Sequence, residues 1–376
     1  MEPTDGSFIK NNGKTGVGIC GAGYIILETY CRISALMELG IPVHMLQVFS
    51  SAAALGGKLA ETGFQKEKMD KIILGLIRGG PKVFEEVAES SENLKSLVEY
   101  LGKLSSSGLS LSDLKELPMR LMKLKSFLSK ASQPAILNHD PLYRLIDEDL
   151  KVDFNKIALP SVLEDFQIIT KNDTRGRFSI WSTKHKEIQE KPSILREPMV
   201  GSMCLPPIFR PKNIFDELHS DGLTLVLNEF IDAGCQTIIL FCSGQFGRPL
   251  KEENVLRQNL IQRLINDFHI EVDMRLVEEL NDALALGYKI FCDDPDSLAS
   301  RIDEPSKIAR LTSMRRKIEN PKSEKQLKII LVTRKTLIPG LSLMGFPKEN
   351  FEETFLKYRP RILEETKQFL TQALLA

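Results

Sequence analysis

Four short apolar runs constrain the fold more than anything else in this chain. Gly16–Cys20, His44–Phe49, Thr237–Cys242 and Lys328–Thr333 each read as a buried strand. Thr237–Cys242 is apolar almost throughout, as a strand covered on both faces of a parallel sheet must be. Between and after these runs the spacing turns helical. Ile26, Tyr30, Ile33, Leu36 and Met37 share one face of a helix that Gly40 and Pro42 close. Helical segments are also predicted over 142–150, 253–268, 273–286 and 351–374, with a short one at Met199–Cys204. Ser161–Thr170 and Arg177–Thr183 read as strands that pair across the Asn172-Asp173 turn. Strands alternating with helices predict a three-layer α/β/α sandwich around a mostly parallel sheet.

Residues 66–130 differ in texture, being rich in Lys, Glu, Leu and Ser with breaks at Gly79-Gly80-Pro81 and Ser105–Gly108. The organisation expected is a loose tail over 1–13 and a single domain over 14–376, with a helical, lid-like insertion at about 66–135. Within the insertion, Met119–Leu128 sets apolar side chains among Arg120, Lys123 and Lys125. Such a helix suits either a solvated surface or a membrane interface. The basic stretch over 301–317 is open to the same two readings: a solvated face, or a dock for anionic lipid headgroups.

Fifty Lys and Arg balance fifty Asp and Glu, so no global field recruits nucleic acid. Six cysteines without a C-x-x-C pair read as free thiols in a reducing compartment. There is no charged-then-apolar leader and no run of about 20 apolar residues. A protein in the cytoplasm or peripheral to a membrane is expected. Metal-ligand spacing is absent, and no cofactor is expected.

Three constellations can carry chemistry. Gly16–Gly21 matches G-x-G-x-x-G literally, but polar residues precede it where a dinucleotide fold needs a strand. The turn is better placed at Gly21-Ala22-Gly23, where backbone N–H groups at a helix entrance suit an oxyanion as well as a phosphate. Next, Val48-Phe49-Ser50-Ser51-Ala52-Ala53 runs from strand to serines to helix formers, the layout of a nucleophile elbow. Read alone, it also fits a plain junction in which Ser50 or Ser51 caps a helix. The third is His219-Ser220-Asp221-Gly222-Leu223, in which Asp-Gly usually marks a turn. No histidine stands in an ordered pattern with a serine and an acid.

Taken in order, these pieces resemble the patatin-like phospholipase family. That family has a glycine-rich oxyanion loop, a G-x-S-x-G serine and a late D-G-[GA] aspartate, and it uses a Ser–Asp dyad without histidine. The resemblance spans most of residues 14–375. It includes Gly201–Phe209, Asn138–Leu142 and the strand pair around Asn172–Gly176. It implies a patatin-like fold, Ser51 as nucleophile, Asp221 as general base, and an oxyanion hole from Gly21, Ala22, Gly23 and Ala52. The implied activity is that of a carboxylic-ester hydrolase acting on phospholipids or related acyl esters. The chain departs from the family at Ala22, Ile25 and Ile26 in the loop, at Phe49 and Ala53 beside the serine, and at Leu223 after Asp-Gly. A catalytically impaired patatin-fold protein that binds lipid or a protein partner is the alternative.

Overall fold

In the computed structural model, β1 (Lys14–Ile19) lies at the centre of a nine-stranded sheet. The structure describes residues 13–83, 135–242, 275–294 and 327–376, apart from 136, 159–162, 207, 285–286, 335 and 343–344. The expected helices at 119–128 and 253–268 and the basic stretch at 301–317 lie outside the described residues.

The other strands are β2 (Met45–Val48), β3 (Asp165–Asn172), β4 (Arg177–Ser182), β5 (Lys212–Ile214), β6 (Glu217–Asp221), β7 (Cys235–Phe241), β8 (Lys289–Cys292) and β9 (Lys328–Val332). The order across the sheet is β5-β6-β3-β2-β1-β7-β9-β8, with β4 pairing β3. From β3 to β8 every neighbouring pair is parallel; the pairs β3/β4, β3/β6 and β5/β6 are antiparallel. Ile238 to Phe241 and Ile329 to Val332 are fully buried, which is why these strands carry no polar alternation. Helices cover both faces, so the fold is α/β as the alternation of elements predicts.

One edge of β3 positions the candidate site. β2 pairs with β3 only as far as Val48 opposite Ile168. Beyond that point β6 takes over, with Asp221 opposite Thr170. β4 occupies the opposite edge of β3 along both stretches. The chain leaving β2 at Phe49 and Ser50 therefore meets the C-terminal end of β6. Asp221 ends β6, and the turn read from the Asp221-Gly222 pair follows it directly.

Helix α1 (Ile26–Glu38) packs on α5 (Phe351–Leu375). Between α1 and the end of β9 lies a buried charge cluster. Glu28, fully buried, accepts hydrogen bonds from Arg32, Arg334 and the Ile338 amide. Burial pushes the Glu28 pKa up, but Arg32 and Arg334 more than offset this and hold it below the ordinary value. Its contribution to stability is present above the ordinary glutamate pKa and is lost as pH falls through the depressed one. Glu28→Gln leaves two cations facing a neutral amide. It is expected to lower unfolding stability by about 3 kcal/mol or more, read by urea denaturation at pH 7.

Candidate active site

Ser50 sits at the apex between β2 and α2 (Ser51–Thr62) with φ 57° and ψ −143°. Phe49 before it is fully buried in the core, so the strand cannot continue into solvent and must turn at the next residue. A non-glycine residue in this conformation costs on the order of 1–3 kcal/mol and persists only when its surroundings hold it. Here they do. The Ser50 amide donates to Ser202 Oγ at 2.9 Å, and Ser202 Oγ donates to the Ile169 carbonyl at 2.7 Å. Ser202 ends helix α4 (Arg196–Ser202), so helix and strand together clamp the apex.

Gly21 provides the other side of the clamp. A Cβ there would lie 2.5 Å from the Phe49 carbonyl oxygen, 2.6 Å from the Ser51 nitrogen and 2.7 Å from the Ala52 nitrogen. All three are backbone atoms and cannot swing aside. Gly21→Ala is therefore expected to destabilise the fold by about 2 kcal/mol through overpacking, read as a lower urea midpoint at unchanged slope. Gly222 is similarly confined, by the Ile169 carbonyl.

Asp221 is fully buried. Its amide donates to the Cys204 carbonyl at 3.0 Å, and its Oδ1 accepts from the Leu223 amide at 3.2 Å. The latter closes a tight turn with Leu223 at φ 60°. Oδ2 is buried without a hydrogen-bond partner. Burial raises the Asp221 pKa to about 7, opposed by the neighbouring Ser50 hydroxyl and the Leu223 amide. Ser50 thus lies close enough to favour the charged carboxylate, although it makes no full hydrogen bond to Oδ2.

The structure brings Asp221 together with Ser50 rather than with Ser51. Ser51 is the first residue of α2, and its Oγ accepts a hydrogen bond from the Ala22 amide at 3.0 Å. Of the expected oxyanion donors, Ala22 is therefore already engaged. The Ser51 and Ala52 amides open the helix and have no acceptor among the described residues. Gly23 takes a left-handed conformation at φ 53° and lies on the cavity wall. His219, two residues before Asp221, is no triad member: its Nδ1 is paired with Thr170 Oγ1 at 2.9 Å, and its ring edge meets Trp181.

Ser50 and Ser51 open onto a cavity of about 320 Å³. Its depth is apolar, with Leu27, Ala54, Leu55 and Leu142 among the buried residues that line it. Phe49 and Ile25, which stand where the patatin-like pattern has a glycine and a cation, do not line it. Sequence reasoning missed Ser202, whose only signal was a small residue in a short helix. One wall of the cavity is α3 (Lys66–Gly79), the first part of the segment expected as a helical, lid-like insertion. All six cysteines are free. Among the described residues no helix is long and apolar enough to cross a membrane.

The chain matches no protein-family model and no curated protein sequence. Its structure is similar to the crystal structure of VipD from Legionella pneumophila at 15% identity and a TM-score of 0.34, over 94% of this chain and 67% of that one. A likeness of that size assigns neither family nor activity.

Proposed function

We propose that this protein is a serine-dependent hydrolase of acyl esters in which Ser50 is the nucleophile and Asp221 the general base. The observation that carries this reading is the pairing of a serine at a clamped, positive-φ apex with a buried carboxylate whose Oδ2 is unpartnered. A base with a pKa near 7 is matched to proton transfer at neutral pH.

In the proposed reaction Asp221 Oδ2 accepts the Ser50 hydroxyl proton as Oγ attacks the ester carbonyl carbon. The tetrahedral oxyanion takes hydrogen bonds from the Ser51 amide and from the Gly23 turn; one such donor is worth roughly 3–4 kcal/mol of barrier. The C–O bond to the alcohol breaks, and the alcohol leaves with the proton from Asp221. Water, deprotonated by Asp221, then attacks the acyl-serine; the acyl–Oγ bond breaks, Ser50 Oγ takes back the proton from Asp221, and the acid is released. The apolar depth of the cavity suits a lipid acyl chain, in keeping with the order of motifs that resembles patatin-like phospholipases. Active-site labelling by a fluorophosphonate, with and without Ser50, is the direct test.

One observation favours the second reading, a site that binds lipid without turning it over. The Ala22 amide, an expected oxyanion donor, is taken by Ser51 Oγ. On that reading the fluorophosphonate leaves the protein unlabelled while alkyl ligands still bind.

A further inference from the structure

The residues lining the cavity divide by exposure. Those in its depth are buried and apolar, whereas Lys71, Gly75, Gly79, Lys82 and Asp149 are exposed and mark where it meets solvent. Three of these belong to α3. Lys71, Gly75 and Gly79 follow one another at i, i+4 and i+8, so they form one stripe of that helix.

The charges at this rim are unequal. Lys82 is matched by Asp149 at 3.5 Å. Lys71 makes no ion pair among the described residues, and the cavity wall offers it no carboxylate but that of Asp149. Gly75 is equally unexplained by packing. A Cβ there would meet nothing within 4 Å, and its φ is not one that favours glycine. Glycine in a helix interior is destabilising relative to alanine, so the open space beside it is kept against local propensity.

We infer that the α3 rim selects an amphiphile with an anionic head: Lys71 meets the head, and Gly75 leaves the passage for the chain. This rests on the reading of Ser50 as the centre of an acyl-ester site, and it adds which esters enter.

Binding can be measured without turnover. The whole protein is titrated calorimetrically at low ionic strength with three ligands below their micellar concentrations: n-decyl phosphate, n-decyl phosphocholine and n-decyl maltoside. Decyl phosphate is expected to bind about fivefold more tightly than the other two, the range of one exposed ion pair. Raising the salt to about 0.5 M is expected to shrink that preference. Lys71→Glu is expected to abolish or reverse it and Lys71→Arg to retain it. Gly75→Leu is expected to weaken all three ligands at least tenfold while leaving the far-ultraviolet spectrum intact and the thermal midpoint no lower. Equal affinities for the three ligands, or a preference that survives Lys71→Glu, overturns the inference. Its failure is separable from that of the catalytic reading. Fluorophosphonate labelling without any head-group preference removes only the rim selectivity. A preference without labelling keeps the rim and removes the catalysis.

Discussion

Ser50→Ala is expected to abolish labelling by a fluorophosphonate and to lower esterase activity on a short-chain chromogenic ester by roughly 10⁴-fold or more, whereas Ser51→Ala is expected to leave labelling in place. The two serines are neighbours in sequence but not equivalent in the fold. Ser50 occupies the strained apex and faces the Asp221 carboxylate. Ser51 is already helical and has its Oγ turned to the Ala22 amide. Removing a nucleophile takes away the covalent path altogether. Removing the Ser51 hydroxyl frees one loop amide and loosens the Gly21–Gly23 turn. A displacement of about 1 Å there can change the rate by about 100-fold. Both variants are small-to-smaller changes next to residues held by backbone hydrogen bonds, so each is expected to fold. Mass spectrometry of the labelled peptide reads the site directly. Labelling lost in Ser51→Ala and kept in Ser50→Ala would return the nucleophile to Ser51.

That one-residue difference shows what the sequence could and could not convey. The elbow was legible because a short apolar strand runs into serines and then into alanines. Its register was not. In a G-x-S-x-G motif the glycines mark which residue takes the positive φ, and here neither register keeps them. Counted from Ser51, the flanking residues are Phe49 and Ala53; counted from Ser50, they are Val48 and Ala52. What fixes the apex is tertiary: β2 ends where its pairing to β3 ends at Val48, Phe49 is drawn into the core, and the turn falls on Ser50. The same reasoning separates the strands. β1, β7 and β9 are buried on both faces and read as continuous apolar runs. The β3/β4 hairpin declared itself through Asn172-Asp173. β5, β6 and β8 did not, because they are short and mix charged with apolar residues. Asp221 belongs to this group. Its Asp-Gly pair does make a turn, but only the pairing of β6 with the far end of β3 places that turn, and Asp221 before it, beside the elbow.

Asp221→Asn is expected to make the protein more stable and inactive at once. The carboxyl is neutral in both folded and unfolded states below its ordinary pKa of 3.8. As pH rises from there, the unfolded chain ionises first while the folded one resists until about pH 7. The folded state loses ground over that interval and carries the full penalty above it. A gap of about three pH units at about 1.4 kcal/mol each puts that penalty near 4 kcal/mol. Asparagine carries no charge at any of these pH values. The variant should therefore gain about 4 kcal/mol at pH 8, roughly 5 °C in thermal midpoint for a chain of this size, and almost nothing at pH 4. Wild-type esterase activity should rise with pH and level off above about 7, as the base loses its proton, while Asp221→Asn stays at background throughout. A stability gain that is the same at pH 4 and pH 8 would mean that the carboxylate is not what the fold strains to hold. An aspartate buried with Oδ2 unpartnered carries, when ionised, a charge that its surroundings do not balance. Its retention beside Ser50 is the kind of local penalty that a catalytic base imposes on the protein that contains it.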